Sequence, residues 1–392
     1  MRITIISRIF LPEPSAASQR LGALADALSK RGHVVTVLTS NPPRTISEDA
    51  SYRYRISRWP VLRDRSGYVR GYIPYLSFDL PGFFRVLLAP SADAIVVEPP
   101  PTTGLAVRMA CAVRRTPYVY YAADILSLAA ASTGVPAVVT RAVRWIETRA
   151  LRGAAAVVAV SDGVAEAVRE MAPETRIEVV GHGVDPRSFH AGVRPLEPEL
   201  DAVYVGTASE WHGAGVFAAA LRILDERGIH PRVAFVGQGS DWDQLREELG
   251  GLPGVTFGPS VDADTAARRL RGARVALASL KPSVGYDFAV PTKMYSALAV
   301  GTPVVLSAPA RLHSLVEANG LGWACSEDPE EIAGAMQRAI ADSPSRERRA
   351  GIAEWARSNV SAPAVAVRVI DLLQDVVAAS SNPRSGAEST AG

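Results

Sequence analysis

The chain has 392 residues, 48% of them hydrophobic and 21% charged, and a net charge of +2. This composition excludes a disordered chain, and the balanced charge supplies no field for nucleic acid. The length exceeds what one ordinary core organises, so two domains are expected. Cys111 and Cys325 stand far apart with no Cys or His partners in zinc spacing. A disulfide framework and a structural metal are therefore not expected, and a reducing cytoplasmic setting is. No apolar run reaches about 18 residues, and the chain opens directly on strand-like residues, so neither a membrane-spanning helix nor a signal peptide is expected.

Residues 3–7 read as a strand, 18–31 as a helix and 34–38 as a strand. The loop between the first two contains Ser15, Ala16, Ala17 and Ser18. In an open α/β sheet, a loop at the carboxyl end of a strand faces the ligand crevice. These residues therefore line the crevice, or they only connect strand to helix with Ser18 as N-cap. Further on, Arg53, Arg55, Arg58, Arg63, Arg65 and Arg70 are interleaved with Tyr52, Tyr54, Trp59 and Tyr68. This stretch is a solvated loop, a site for a small anion, or a peripheral contact with an anionic membrane. It carries no amphipathic apolar stripe of its own.

Strands over 94–97, 118–121, 156–160 and 176–180 follow. Continuous apolar strands alternating with helices mean a parallel sheet covered on both faces. Glu98 and Asp124 each come just after a strand and so face the crevice. Asp124 either positions a substrate and takes its proton or caps the next helix.

Gly181-His182-Gly183-Val184-Asp185 reads as a hinge, and residues 192–199 are polar with proline. The pattern then restarts with a strand over 202–205, a helix over 216–227 and a strand over 232–236. It continues with a helix over 243–249, a strand over 255–257, a helix over 263–271 and a strand over 275–280. Two such series predict two doubly wound, Rossmann-like α/β domains. Asp241/Asp243 and Asp262/Asp264 match an Asp-x-Asp metal pattern, but both pairs precede helices, where acids suit the dipole. No metal site is expected.

The most informative stretch is 289–305. Pro291 opens a helix, Gly301 closes it, Pro303 prevents its continuation, and a buried strand over 304–306 follows. Backbone N–H groups at the helix start make a ready anion site, and Lys293 adds an ammonium. The chain has only three lysines, and two of them, Lys281 and Lys293, flank this loop. The competing reading of Lys293 is a solvated first-turn residue. The tail from residue 379 is rich in Ser, Asn, Pro and Gly and is expected to be disordered.

The run Pro291-Thr292-Lys293-Met294-Tyr295 with Ala299-Val300-Gly301-Thr302-Pro303 resembles the donor-binding element of GT-B glycosyltransferases of the family-4 type. Arg31-Gly32-His33, the 181–189 segment with Phe189, and Gly237-Gln238-Gly239 resemble other segments of that family in the same order, over residues 1–360. The resemblance implies two Rossmann-like domains facing across a cleft. Residues 1–185 would bind the acceptor and 186–360 the nucleotide sugar, a helix over 361–378 would pack back on the first domain, and 379–392 would be tail. It implies glycosyl transfer from a UDP- or GDP-type sugar, with retention and with no metal or other cofactor. Asp124 and Lys293 would be catalytic. Trp211, His212, Gly213, Gly237, Gln238, Gly239, Lys281, Ala289, Val290, Thr292 and Ser296 would bind the donor. Ser15, Ala16, Ala17, Ser18 and Glu98 would bind the acceptor.

The chain departs from the family's pattern at Ser296 and Phe288, where the family carries a glutamate pair. The loop holding Trp211 and His212 also lacks the usual Arg and Lys. These departures leave open an epimerase or phosphorylase on the same scaffold, or a non-catalytic nucleotide-sugar-binding protein. The missing acids disfavour the epimerase. Without an apolar stripe beside the arginines, a small soluble acceptor is favoured over a lipid-linked cell-envelope saccharide. The expected location is cytoplasmic, with the inner membrane face as the alternative.

Overall fold

A computed structural model of the protein describes residues 1–13, 15–43, 46, 51–64, 69, 71–132, 135–282 and 290–381. Among the described residues, 1–183 and 362–381 form one compact unit, and 184–361 form a second.

The first unit runs β1 (Arg2–Ile6), α1 (Ala16–Lys30), β2 (Val34–Ser40), β3 (Arg55–Trp59), α2 (Tyr72–Leu88), β4 (Ala94–Val97), α3 (Pro101–Arg114), β5 (Tyr118–Ala122), α4 (Leu126–Ser132), α5 (Ala137–Gly153), β6 (Ala156–Ala159), α6 (Asp162–Met171) and β7 (Ile177–Val179). Its parallel strands lie in the order β3-β2-β1-β4-β5-β6-β7. Ile5 pairs with Val37 on one side and Val96 on the other, so β1 and β4 are central. That position explains why both read as unbroken apolar runs.

The second unit runs β8 (Leu200–Thr207), α7 (Val216–Glu226), β9 (Val233–Gln238), α8 (Trp242–Leu249), β10 (Val255–Gly258), α9 (Ala263–Arg271), β11 (Ala273–Ser279), α10 (Thr292–Ala299), β12 (Val304–Ser307), α11 (His313–Glu317), β13 (Gly322–Cys325), α12 (Pro329–Ala341) and α13 (Arg346–Asn359). Its order is β10-β9-β8-β11-β12-β13. Neighbouring residues of β8 feed opposite layers. Val203 joins Met294, Leu298 and Ile352, while Tyr204 joins Phe217, Leu221 and Met336. The chain then returns to the first unit as α14 (Ala362–Ser381), which packs on α1.

Both sheets have the strand order of a doubly wound nucleotide-binding domain. The order reverses between β1 and β4, and again between β8 and β11. Ligands bind outside the carboxyl ends of the strands at such reversals.

Several sequence expectations are corrected here. The first helix starts at Ala16, because Ser15 and not Ser18 is its N-cap; Ser15 Oγ accepts from the Ser18 N–H at 3.0 Å. Pro291 is a cap residue, and α10 begins at Thr292. Arg55–Trp59 is an edge strand where a loop was the leading reading. Residues 379–381 are the last turn of α14 and not tail. Arg65, Tyr68, Arg70, Asp287, Phe288, Ala289 and residues 382–392 lie outside the described residues.

Candidate active site

In the second unit the loops after β8 and β11 meet at the strand-order reversal. Lys293, in the first turn of α10, reaches back over β8. Its Nζ donates to the Thr207 carbonyl at 2.9 Å and to the Tyr204 hydroxyl. It also lies 4.2 Å from the centre of the Tyr204 ring. The surrounding protein pushes its ammonium down from 10.5 to about 7. Two of its three protons are engaged in these bonds, leaving one for a ligand. His212 belongs to the same cluster. Its Nδ1 lies 2.7 Å from Ser209 Oγ. Burial, with Lys293 nearby, holds its imidazole down at about 4, so it is neutral at pH 7.

Trp211 is exposed and packs edge-on against the His212 ring, 5.1 Å between centroids. Its carbonyl accepts from the Lys281 N–H at 2.9 Å, which ties the β8 loop to the end of β11. Gly213 lies against Lys281. Lys281 opens on a cleft of about 540 Å³ that is also lined by Gly213, Glu210, Asp241, Glu248 and Glu327. Four carboxylates against one ammonium make that cleft a poor seat for a diphosphate. On the other side of the β8 loop, Lys293 stands with no carboxylate among its hydrogen-bond partners.

Gly237 and Gly239 are required by backbone contact. A Cβ on Gly237 would stand 1.9 Å from the Gly206 carbonyl oxygen, and one on Gly239 would stand 1.8 Å from that of Ala208. The turn after β9 thus presses on the β8 loop, and Gln238, between them, is exposed. Thr292 is exposed at the α10 start, and Ser296 lies one turn further along. Val290 is a correction: its side chain is buried in the core, so only its backbone remains for a ligand. Asp262 is used as the N-cap of α9, accepting from the Thr265 N–H at 2.8 Å.

In the first unit, the reversal between β1 and β4 is occupied by an ion pair. Arg20 binds Glu98, whose other oxygen accepts from Ser7 Oγ at 3.1 Å. The two side chains are only 8% and 5% exposed. Glu98 is therefore not a free acceptor-binding carboxylate, because a partner 78 residues away in the chain consumes it. Ser18 is likewise fully buried against Ser15. Ser15, Ala16 and Ala17 remain at the accessible start of α1.

Asp124 stands exposed beyond β5. It is not a helix cap, since Glu147 accepts from the Leu126 and Ser127 N–H groups at 2.9 and 3.0 Å. The protein around Asp124 pushes its carboxyl up to about 6; Arg20 opposes this and Glu98 adds to it. The Arg20 guanidinium also lies over the Tyr121 ring at 5.1 Å. Burial and Arg20 hold His182 neutral, at about 3. Sequence reasoning missed Arg20, Tyr204 and Glu147; each acts through a partner distant in the chain.

Two family models match the chain. The one described as Glycosyl transferase 4-like domain covers residues 15–183, and the one described as Glycosyl transferases group 1 covers residues 199–342. The amylovoran biosynthesis glycosyltransferase AmsK of Erwinia amylovora is 30% identical over 175 residues, which is 42% of this chain and 42% of that protein. The matched stretch is thus less than half the relative's length. Among solved structures, the sucrose-phosphate synthase of Thermosynechococcus elongatus superposes with a TM-score of 0.73 at 16% identity, covering 96% of this chain and 99% of that one. Alr3699/HepE of Anabaena, solved in complex with UDP, gives 0.69 at 15% identity, covering 96% and 100%. At these identities the likeness to solved structures establishes the fold.

Proposed function

Because this chain belongs to the 4-like, group 1 glycosyltransferases of GT-B fold, we propose that it moves a glycosyl group from a nucleotide-diphosphate sugar to a saccharide acceptor of a growing polysaccharide. The observation that carries this reading is the Lys293 ammonium, held over the end of β8 at the start of α10. The bond that breaks joins the sugar to the diphosphate, so negative charge grows on the departing phosphate. A fixed cation and a helix N-terminus stabilise that charge more in the transition state than in the ground state. UDP or GDP is the carrier class. The retaining, metal-free course and a cytoplasmic location remain part of the proposal. The saccharide acceptor, in place of a small soluble one, follows the polysaccharide role in the name of AmsK.

The test is release of UDP or GDP from a panel of nucleotide sugars, with and without saccharide acceptors and with EDTA present. Release that depends on acceptor supports transfer. An epimerised sugar still joined to its nucleotide points to the epimerase. Donor binding without any release points to a binding protein.

Donor binding should take up a proton. A diphosphate diester does not titrate near neutrality, whereas Lys293 in the free protein titrates at about 7. An anion against the ammonium raises that value. Affinity is therefore highest below pH 7 and falls as the pH rises above it. Calorimetry at pH 8 in buffers of different ionisation heat should show uptake approaching one proton. Heats that do not depend on the buffer remove Lys293 from the anion site.

Asp124→Asn is expected to leave donor affinity nearly unchanged, because Asp124 lies in the other unit from the anion site. Transfer should fall by roughly 100-fold, the usual scale for loss of a general base. The wild-type rate should rise with pH through about 6 as the carboxyl ionises, and the variant should lose that limb. An equal loss of nucleotide affinity overturns the placement.

A further inference from the structure

Helix α2 has its apolar side turned outward. Among its described side chains, every exposed one is apolar: Ile73, Leu76, Leu80, Phe84 and Leu88, at 51–81% exposure. They are spaced three or four apart and so form one stripe along the helix. The opposite side is buried, with Phe78, Gly82 and Val86 turned inward. A helix apolar on both sides has no reason to face water.

Its neighbours continue the face. Arg114, at the end of α3, donates to the Val86 carbonyl of α2 at 2.8 Å and to the carbonyl of Ala89, just past the helix, at 2.6 Å. α3 in turn packs on α5. Met109 and Val113 of α3 and Trp145 of α5 are exposed, and Arg149 lies 5.3 Å from the Trp145 ring centre. α3 and α5 carry Arg108, Arg114, Arg141, Arg144, Arg149 and Arg152, and their one acid, Glu147, is fully buried. The one acid of α2, Asp79, is buried too. A chain of near-zero net charge thus has a three-helix face that is apolar and basic, with no exposed acid on those helices.

We propose that the face formed by α2, α3 and α5 docks on the surface of an anionic lipid bilayer. The Ile73–Leu88 stripe enters the acyl boundary, and the exposed arginines of α5, Arg141, Arg144 and Arg149, bind headgroup phosphates. No helix among the described residues is long and apolar enough to cross a membrane, so the contact is peripheral. The apolar stripe missing between residues 52 and 70 is supplied by the next helix. The objection that favoured a small soluble acceptor thereby lapses.

The proposal does not rest on the transferase reading, and its test needs no turnover. Flotation is measured with phosphatidylcholine vesicles, alone or with about one third phosphatidylglycerol, at low and physiological salt. Wild type should float with the anionic vesicles, more tightly at low salt. Leu76→Glu with Leu80→Glu should lower partitioning at least about tenfold at both salts. Arg141→Gln, Arg144→Gln and Arg149→Gln together should lower it by about fivefold per arginine at low salt. Far-UV dichroism should show both variants folded, since the replaced side chains are exposed. Absence of wild-type flotation at low salt overturns the proposal, as does flotation indifferent to the Leu76/Leu80 change. A dimer in sedimentation velocity that the Leu76/Leu80 change dissociates, with no vesicle binding, assigns the stripe to a second copy instead. Vesicle binding without nucleotide-sugar turnover leaves the membrane face standing and sinks only the enzymatic reading.

Discussion

Lys293→Met is expected to lower kcat/KM for the nucleotide sugar by about 10- to 150-fold, matching the roughly 1.5–3 kcal/mol of a charge-assisted hydrogen bond to phosphate. Methionine keeps the apolar stem over the Tyr204 ring and removes the charge. The free protein should not be weakened. Its ammonium is already disfavoured, standing at about 7 where a solvated lysine stands at 10.5, and removing a desolvated cation relieves that penalty. The expected pattern is a melting temperature equal to or above wild type beside a large kinetic loss. Steady-state kinetics and a thermal melt check both halves. Wild-type kinetics with intact folding would place the phosphate elsewhere. A lower donor affinity with no turnover in either protein favours the binding-protein alternative.

The second large effect is on folding. Glu98→Gln leaves the Arg20 guanidinium buried without its counter-charge, at 8% exposure. Breaking a buried pair from one side costs about 3–5 kcal/mol. For a unit of this size, that lowers the melting transition by about 6–20 °C. Arg20→Met with Glu98→Leu replaces both charges by apolar groups and should recover most of the loss. The pair also biases Asp124: Arg20 lowers its pKa, and Glu98 raises it. The Glu98→Gln variant should therefore shift the acidic limb of the transfer profile to lower pH. A melt within 2 °C of wild type, far below the cost expected for a broken buried pair, would show that the pair is solvated.

Much of the fold was legible because the central strands are buried on both faces. The Ile3–Ile6, Ala94–Val97 and Ala202–Val205 stretches carry no polar alternation to confuse them with amphipathic elements, Thr4 being the one exception. The edge strand Arg55–Trp59 was not legible as one. Its two arginines and its exposed tryptophan read as loop, because an edge strand is only half buried. The outward stripe of α2 escaped for the opposite reason. An apolar helix is taken to be core, and only exposure distinguishes core from docking surface. At the site, Lys293 and the Gly237/Gly239 turn were visible as local signals. Glu98 was misread because its partner, Arg20, is distant in the chain. Asp124 read equally as cap or base because the group that holds the start of α4, Glu147, is distant in the chain.

The return of the chain to its first unit has a consequence for biosynthesis. Val365, Val369, Ile370 and Leu373 of α14 are buried, and α14 packs on α1. On the ribosome, α14 emerges only after all of residues 184–361. Until then α1 lacks the apolar cover that α14 supplies, while the second unit already has every segment it needs. The first unit, begun earlier, is thus completed later. The interval between is when a nascent chain with exposed apolar surface is most open to chaperones and to aggregation.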